Sequence, residues 1–194
     1  MEPSDLVAVV GEVARALDAQ GAGYLVGGSL ASSLHGIPRS TQDADLVADL
    51  RVEHVASFVK RLEGSFYVDE ERVLDAVRRR ASFNVIHLAT MFKVDVFVSR
   101  DDPASRAEMS RRQEYRVGES DEETLFVASA EDTVAQKLYW YRLGRGVSER
   151  QWQDLLGVLK VQGDRLDAEV LRQGSKSLGV EDLLDRALAE AELS

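Results

Sequence analysis

Asp43 and Asp45, two residues apart in the run Arg39-Ser40-Thr41-Gln42-Asp43-Ala44-Asp45-Leu46, open the chemical reading of this sequence. Alternate residues of a strand share a face, so both carboxylates project the same way while Ala44 and Leu46 turn toward the core. Like charges on one strand face repel unless a cation screens them. Mg2+ (or Mn2+) suits the position, because magnesium takes oxygen ligands, usually a few carboxylates plus substrate phosphates. Asp95, in Val94-Asp95-Val96, repeats the pattern of an acid between apolar neighbours. If the two strands are neighbours, Asp43, Asp45 and Asp95 meet as a two-metal phosphoryl-transfer site requires. Upstream lies Gly27-Gly28-Ser29, between a short apolar strand and a helix. Glycine lets the backbone approach an anion, the helix start offers unpaired N–H groups, and Ser29 adds a hydroxyl donor for a triphosphate oxygen. Such a turn is common by itself. In order with the three acids, it points to transfer of a nucleotide from a nucleoside triphosphate.

The elements that position these residues are readable from periodicity. Leu6, Val9, Val10, Val13 and Leu17 fall at helical spacing, predicting an amphipathic helix that ends near Gly21. Tyr24-Leu25-Val26 is a short buried strand. Ser29 to Leu34 is a helix stopped by Gly36 and Pro38. Thr41 to Val47 is a second strand, and Val52 to Leu62 a helix closed by Glu63-Gly64. Phe83 to Leu88 and Phe92 to Val98 alternate apolar and polar residues and are joined by Ala89-Thr90-Met91, which predicts a hairpin. Leu125-Phe126-Val127 is a last short strand. Beyond it the pattern is helical: Ala130 to Leu143, Glu149 to Val161, Asp167 to Arg172 and Val180 to Ala191, with capping boxes at Ser129/Asp132 and Ser148/Gln151. The predicted fold class is α/β (α+β), a mixed sheet with flanking helices and a C-terminal helical part. Residues 1–125 form the core and 126–194 the helical region, with the active site on the open face of the sheet. No internal repeat or low-complexity segment interrupts it.

A length of 194 residues suffices for a domain with a real core. There is no cysteine, which excludes a disulfide framework and thiolate chemistry and fits a cytoplasmic protein. No apolar run approaches the roughly 20 residues that span a bilayer, and the N-terminus has no signal-peptide pattern. A net charge of −10 argues against broad phosphate-backbone binding of nucleic acid. Arg78-Arg79-Arg80 and the group Arg106, Arg111, Arg112 and Arg116 read as solvated faces rather than a nucleic-acid patch. His35, His54 and His87 lack zinc-ligand spacing. Tyr139, Trp140, Tyr141 and Trp152 read as packing between helices.

The ordered motifs resemble the DNA polymerase beta-type nucleotidyltransferase superfamily. Val26-Gly27-Gly28-Ser29, Asp43-Ala44-Asp45-Leu46 and Val94-Asp95-Val96 match its three parts. Within it the chain is most similar to nucleotidyltransferase-like proteins related to abortive-infection AbiEii-type toxins. Gly36-Ile37-Pro38-Arg39-Ser40-Thr41-Gln42-Asp43 resembles their Gly-x-x-Arg-x-Thr-x-Asp run. Glu131 to Leu138 resembles a helix with a Lys-Leu step, and Arg150-Gln151-Trp152-Gln153-Asp154-Leu155 resembles Arg-Asp-x-x-Asp-Leu. Here Gln151 stands where that pattern has its first acid. The likeness covers about residues 23 to 160.

This resemblance implies that Asp43, Asp45 and Asp95 hold magnesium and that Asp95 helps deprotonate the acceptor. It implies that Gly27, Gly28, Ser29 and Arg39 meet the triphosphate, that Lys137 reaches it, and that Asp154 orients Lys137 or contacts the site. From the residues alone, Lys137 is equally a lysine lying along an apolar helix face. Asp154 reads from the residues as a surface helical residue or an i, i+4 partner of Arg150, and Arg39 either meets phosphate or bridges to Asp43. The implied partners are a nucleoside triphosphate, an RNA or tRNA end or a protein as acceptor, and an antitoxin. A small aminoglycoside-like acceptor is the alternative enzyme, and a non-catalytic nucleotide- or partner-binding module the alternative of another class.

Overall fold

The structure, a computed structural model, describes residues 3–117 and 124–193. Its contacts divide the chain into two compact units, Met1–Gly27 with Ser40–Val127 and Gly28–Arg39 with Ala128–Ser194. The units do not follow chain order, since residues 28–39 group with the C-terminal helices.

The first unit is built on a mixed sheet of strands β1 (Tyr24–Gly27), β2 (Asp43–Ala48), β3 (Phe66–Tyr67), β4 (Ser82–His87), β5 (Lys93–Val98), β6 (Gln113–Arg116) and β7 (Thr124–Val127). Their order is β3-β4-β5-β2-β1-β7-β6. The pairs β2–β5 and β1–β7 are parallel and the rest antiparallel. Helices α1 (Pro3–Asp18), α3 (Val55–Leu62) and α4 (Glu70–Arg79) cover one face. There Ala44, Leu46, Ala48, Val94, Val96 and Val98 are buried together with Val10, Val13, Leu17, Phe58 and Leu62. Phe58 of α3 meets Phe83 of β4 edge to face, with ring centroids 6.0 Å apart. Tyr24 is buried in the same core, and burial pushes its hydroxyl pKa up to about 12.

The hairpin between β4 and β5 is present: the Met91 N–H donates to His87 O, and His87 Nδ1 and Thr90 Oγ1 are 2.8 Å apart. The predicted helix 52–62 divides into a 3₁₀ turn over Val52–His54 and α3. The strands β3 and β6 and the helices α4 and α5 (Pro103–Arg111) are additions to the sequence reading. Helix α4 begins where the Asp69 carboxylate accepts from the Arg72 N–H and ends at Arg80 in the left-handed region.

The second unit is helical: α2 (Gly28–His35), α6 (Ala130–Leu143), α7 (Glu149–Gln162), α8 (Ala168–Ser177) and α9 (Glu181–Glu190). Ser129 and Ser148 cap α6 and α7, each hydroxyl accepting from the N–H three residues on, as the capping boxes predict. Val134, Leu138, Leu155, Leu159, Leu171 and Leu184 fill the core. Tyr141 and Trp152 pack there with ring centroids 5.0 Å apart, whereas Trp140 is half exposed. Helix α2 docks tightly against α7 at Gly36, where an added Cβ would lie 2.7 Å from Val158 N and 2.8 Å from Gly157 C. His35 anchors the same helix end. It is buried, its Nε2 lies 2.6 Å from Ala128 O, and its own carbonyl accepts from Gln162 Nε2.

Candidate active site

The carboxylates belong to the first unit. Strand β2 alternates so that Ala44, Leu46 and Ala48 are buried while Asp43 and Asp45 face away from the helices. Strand β5 does the same, burying Val94, Val96 and Val98 and turning Lys93 and Asp95 outward. The parallel pairing sets Asp45 opposite Asp95 and Asp43 opposite Lys93. The next strands bring Gly27 opposite Asp45 and Asn84 opposite Asp95. The three predicted acids thus occupy one face of two adjacent strands.

Lys93 is the residue that sequence reading missed. Its Nζ lies 2.8 Å from Asp95 Oδ2 and 3.8 Å from Asp43 Oδ1. Its hydrogen bond to Asp95, with the charges of Asp95, Asp43 and Asp45, raises its pKa despite partial desolvation. Among the described residues no group of three or more His, Asp or Glu side chains is closed around a common metal position; Asp43 and Asp95 reach a lysine ammonium instead. The period of two that placed Asp95 beside Asp45 also places Lys93 on that face, so the signal was available.

The second unit holds the remaining candidates. Gly28 opens α2 with φ 57°, a left-handed conformation that suits glycine. Ser29 follows in the first turn, and its hydroxyl oxygen accepts from Arg39 Nη2 at 2.6 Å. The same guanidinium grips Asp154 with two bonds, Nε to Oδ1 at 2.7 Å and Nη2 to Oδ2 at 2.9 Å. Lys137 Nζ donates to Asp154 Oδ2 at 2.8 Å and to Gln151 Oε1 at 3.0 Å. The Lys137 and Asp154 side chains are only 4% and 7% exposed, so this is a buried ion pair. Burial pushes the Asp154 carboxyl upward, but hydrogen bonds from Arg39 and Lys137 outweigh it and hold the group below its ordinary value. The bond to Asp154 correspondingly raises Arg39.

Two expectations change here. Asp154 is neither a surface residue nor a partner of Arg150, because α7 turns it toward Arg39 and Lys137. Lys137 does not run its charge out to solvent, since its ammonium is satisfied inside. Arg39 bridges to Asp154 and Ser29. Gln151, at the departure from the family pattern, supplies a neutral acceptor to Lys137.

No protein-family model matches the sequence. No curated protein matches it either. Solved structures do match in fold. ANT(2'')-Ia in complex with adenylyl-2''-tobramycin aligns at TM-score 0.59 and 17% identity over 90% of this chain and 97% of that one. An antigenic nucleotidyltransferase-like protein from Paracoccidioides brasiliensis aligns at TM-score 0.59 and 16% identity, over 98% and 93%. The lincosamide antibiotic adenylyltransferase LnuA, lincomycin-bound, aligns at TM-score 0.51 and 10% identity, over 83% and 98%. The chain therefore has the nucleotidyltransferase-type fold expected from its motifs. No described helix is long and apolar enough to cross a membrane.

Proposed function

We propose that this chain is a metal-dependent nucleotidyltransferase, moving a nucleoside monophosphate from a nucleoside triphosphate to an acceptor hydroxyl with release of pyrophosphate. One observation carries the reading: Asp43, Asp45 and Asp95 share one face of two in-register strands within a nucleotidyltransferase-type fold. The donors fit magnesium, being anionic oxygens on an accessible face where a cationic group is already held. Asp43, Asp45 and Asp95 would hold the ion, which when bound neutralises triphosphate charge and acidifies the acceptor hydroxyl.

Asp95 takes the proton of the acceptor hydroxyl. The acceptor oxygen forms a bond to the α-phosphorus, the bond from that phosphorus to the bridging oxygen breaks, and the electron pair leaves with pyrophosphate. Gly27, Gly28 and Ser29 present backbone and hydroxyl donors to the triphosphate at the start of α2. Arg39 supplies positive charge for it, held by Asp154, and Lys137 acts from inside by fixing Asp154.

Two acceptor classes follow from different observations. The AbiEii-like motifs support an RNA or tRNA end or a protein hydroxyl, with the chain acting as a toxin restrained by an antitoxin. The net charge of −10 supports a cationic small molecule, which an acidic protein attracts at long range. The fold likeness to ANT(2'')-Ia and LnuA, over nearly the whole of those chains, sides with the small molecule. The test is transfer of label from α-labelled triphosphates with magnesium to total tRNA, to cell protein, or to an aminoglycoside. Label on one acceptor class assigns the substrate. Triphosphate bound with no label transferred to any of them supports a non-catalytic module instead.

A further inference from the structure

We infer that Lys93 is an internal counter-cation of the carboxylate face, one that holds Asp43 and Asp95 in place without metal and competes with the divalent ion for them. The inference rests on the metal reading of Asp43, Asp45 and Asp95 given above. The Lys93 ammonium lies 2.8 Å from Asp95 and 3.8 Å from Asp43. Its strand position faces Asp43 directly across the parallel pair, and Asp95 is its own second neighbour on the same face. One side chain therefore spans the two strands that carry the acids.

Three carboxylates on neighbouring strand positions repel one another, and a cation among them relieves that repulsion. A divalent ion at the same face must outcompete the ammonium and is repelled by it while it remains nearby. Lys93 is accordingly a positioning residue. It keeps the acids gathered between turnovers and weakens the grip on the ion when both are present. At 37% side-chain exposure the ammonium is free to swing into water once displaced.

The test compares the wild type with Lys93→Met, Lys93→Arg and Asp43→Asn/Asp45→Asn in the full chain, by Mn2+ titration and thermal unfolding without substrate. In chelator, Lys93→Met melts below the wild type, because the acids lose their internal cation. With saturating Mn2+ the gap closes or reverses, and Lys93→Met binds Mn2+ about three- to tenfold more tightly. Lys93→Arg behaves like the wild type. A melting gap that Mn2+ leaves unchanged, or Mn2+ binding by Lys93→Met no tighter than by the wild type, overturns the role of Lys93 while leaving the metal site standing. Wild-type binding that is absent, or that survives in Asp43→Asn/Asp45→Asn, removes the metal reading and this inference with it.

Discussion

Asp45 of β2 and Asp95 of β5 are direct register partners in a parallel strand pair, on the face of the sheet turned away from α1, α3 and α4. Parallel neighbours normally place apolar residues on both faces. Two acids at one rung depart from that pattern, and the proposed function takes the position as one that binds charge.

From that relationship follows a division of labour. Asp95→Asn removes the proposed proton acceptor while Asp43 and Asp45 remain. We expect turnover to fall by about a hundredfold or more, with triphosphate affinity changed only a few-fold. Separate measurement of kcat and nucleotide Kd checks this. Weakened binding with unchanged turnover contradicts the assignment.

The buried pair Lys137–Asp154 makes a stability prediction. Asp154→Ala leaves the Lys137 ammonium buried without its carboxylate, at a cost of about 3–5 kcal/mol. Lys137→Met costs less, since Asp154 keeps both bonds from Arg39. Urea unfolding of both variants gives the order. Equal losses would show that Arg39 does not sustain Asp154.

Gly36 tests the docking of α2. A methyl group there meets the backbone of Gly157 and Val158, which cannot move aside as a side chain does. Gly36→Ala should destabilise the protein by about 1–3 kcal/mol. A variant as stable as the wild type would mean that α2 shifts at no cost.

His35 and Asp154 set the acid limb of stability. Burial lowers the His35 pKa below its ordinary 6.5, against the raising effects of the Ala128 carbonyl and the Glu131 charge. The unfolded chain then takes up the proton first. Stability is fully present above about pH 6.5 and declines as pH falls toward the folded value. Asp154, depressed below 3.8, adds a second loss at more acid pH, in the same direction. Unfolding free energies at pH 7.5 and pH 5 should differ more for the wild type than for His35→Gln; equal differences would remove His35 from the account.

The sheet face was legible because it depends on local alternation: Asp45 and Asp95 each sit between apolar residues that the strand buries, and Asp43 precedes the buried Ala44. Helix α6 was legible because Ser129 caps it and Gly144 closes it. Other parts carried no such signal. Helix α5 has no buried residue, and β6 is exposed along nearly its whole length, so neither shows a hydrophobic period. Helix α4 buries only Val73, Ala76 and Val77 amid charged residues. The network around Asp154 joins residues 115 positions apart; no periodicity places it, and only the resemblance of the Arg150–Leu155 run pointed to Asp154 beside Lys137.

The most direct test of the central claim is pyrophosphate release with each of the four ribonucleoside triphosphates, magnesium and the candidate acceptors, comparing the wild type with Asp43→Ala/Asp45→Ala. The account predicts magnesium-dependent release that the double variant lacks. Release that continues undiminished in the double variant would contradict it.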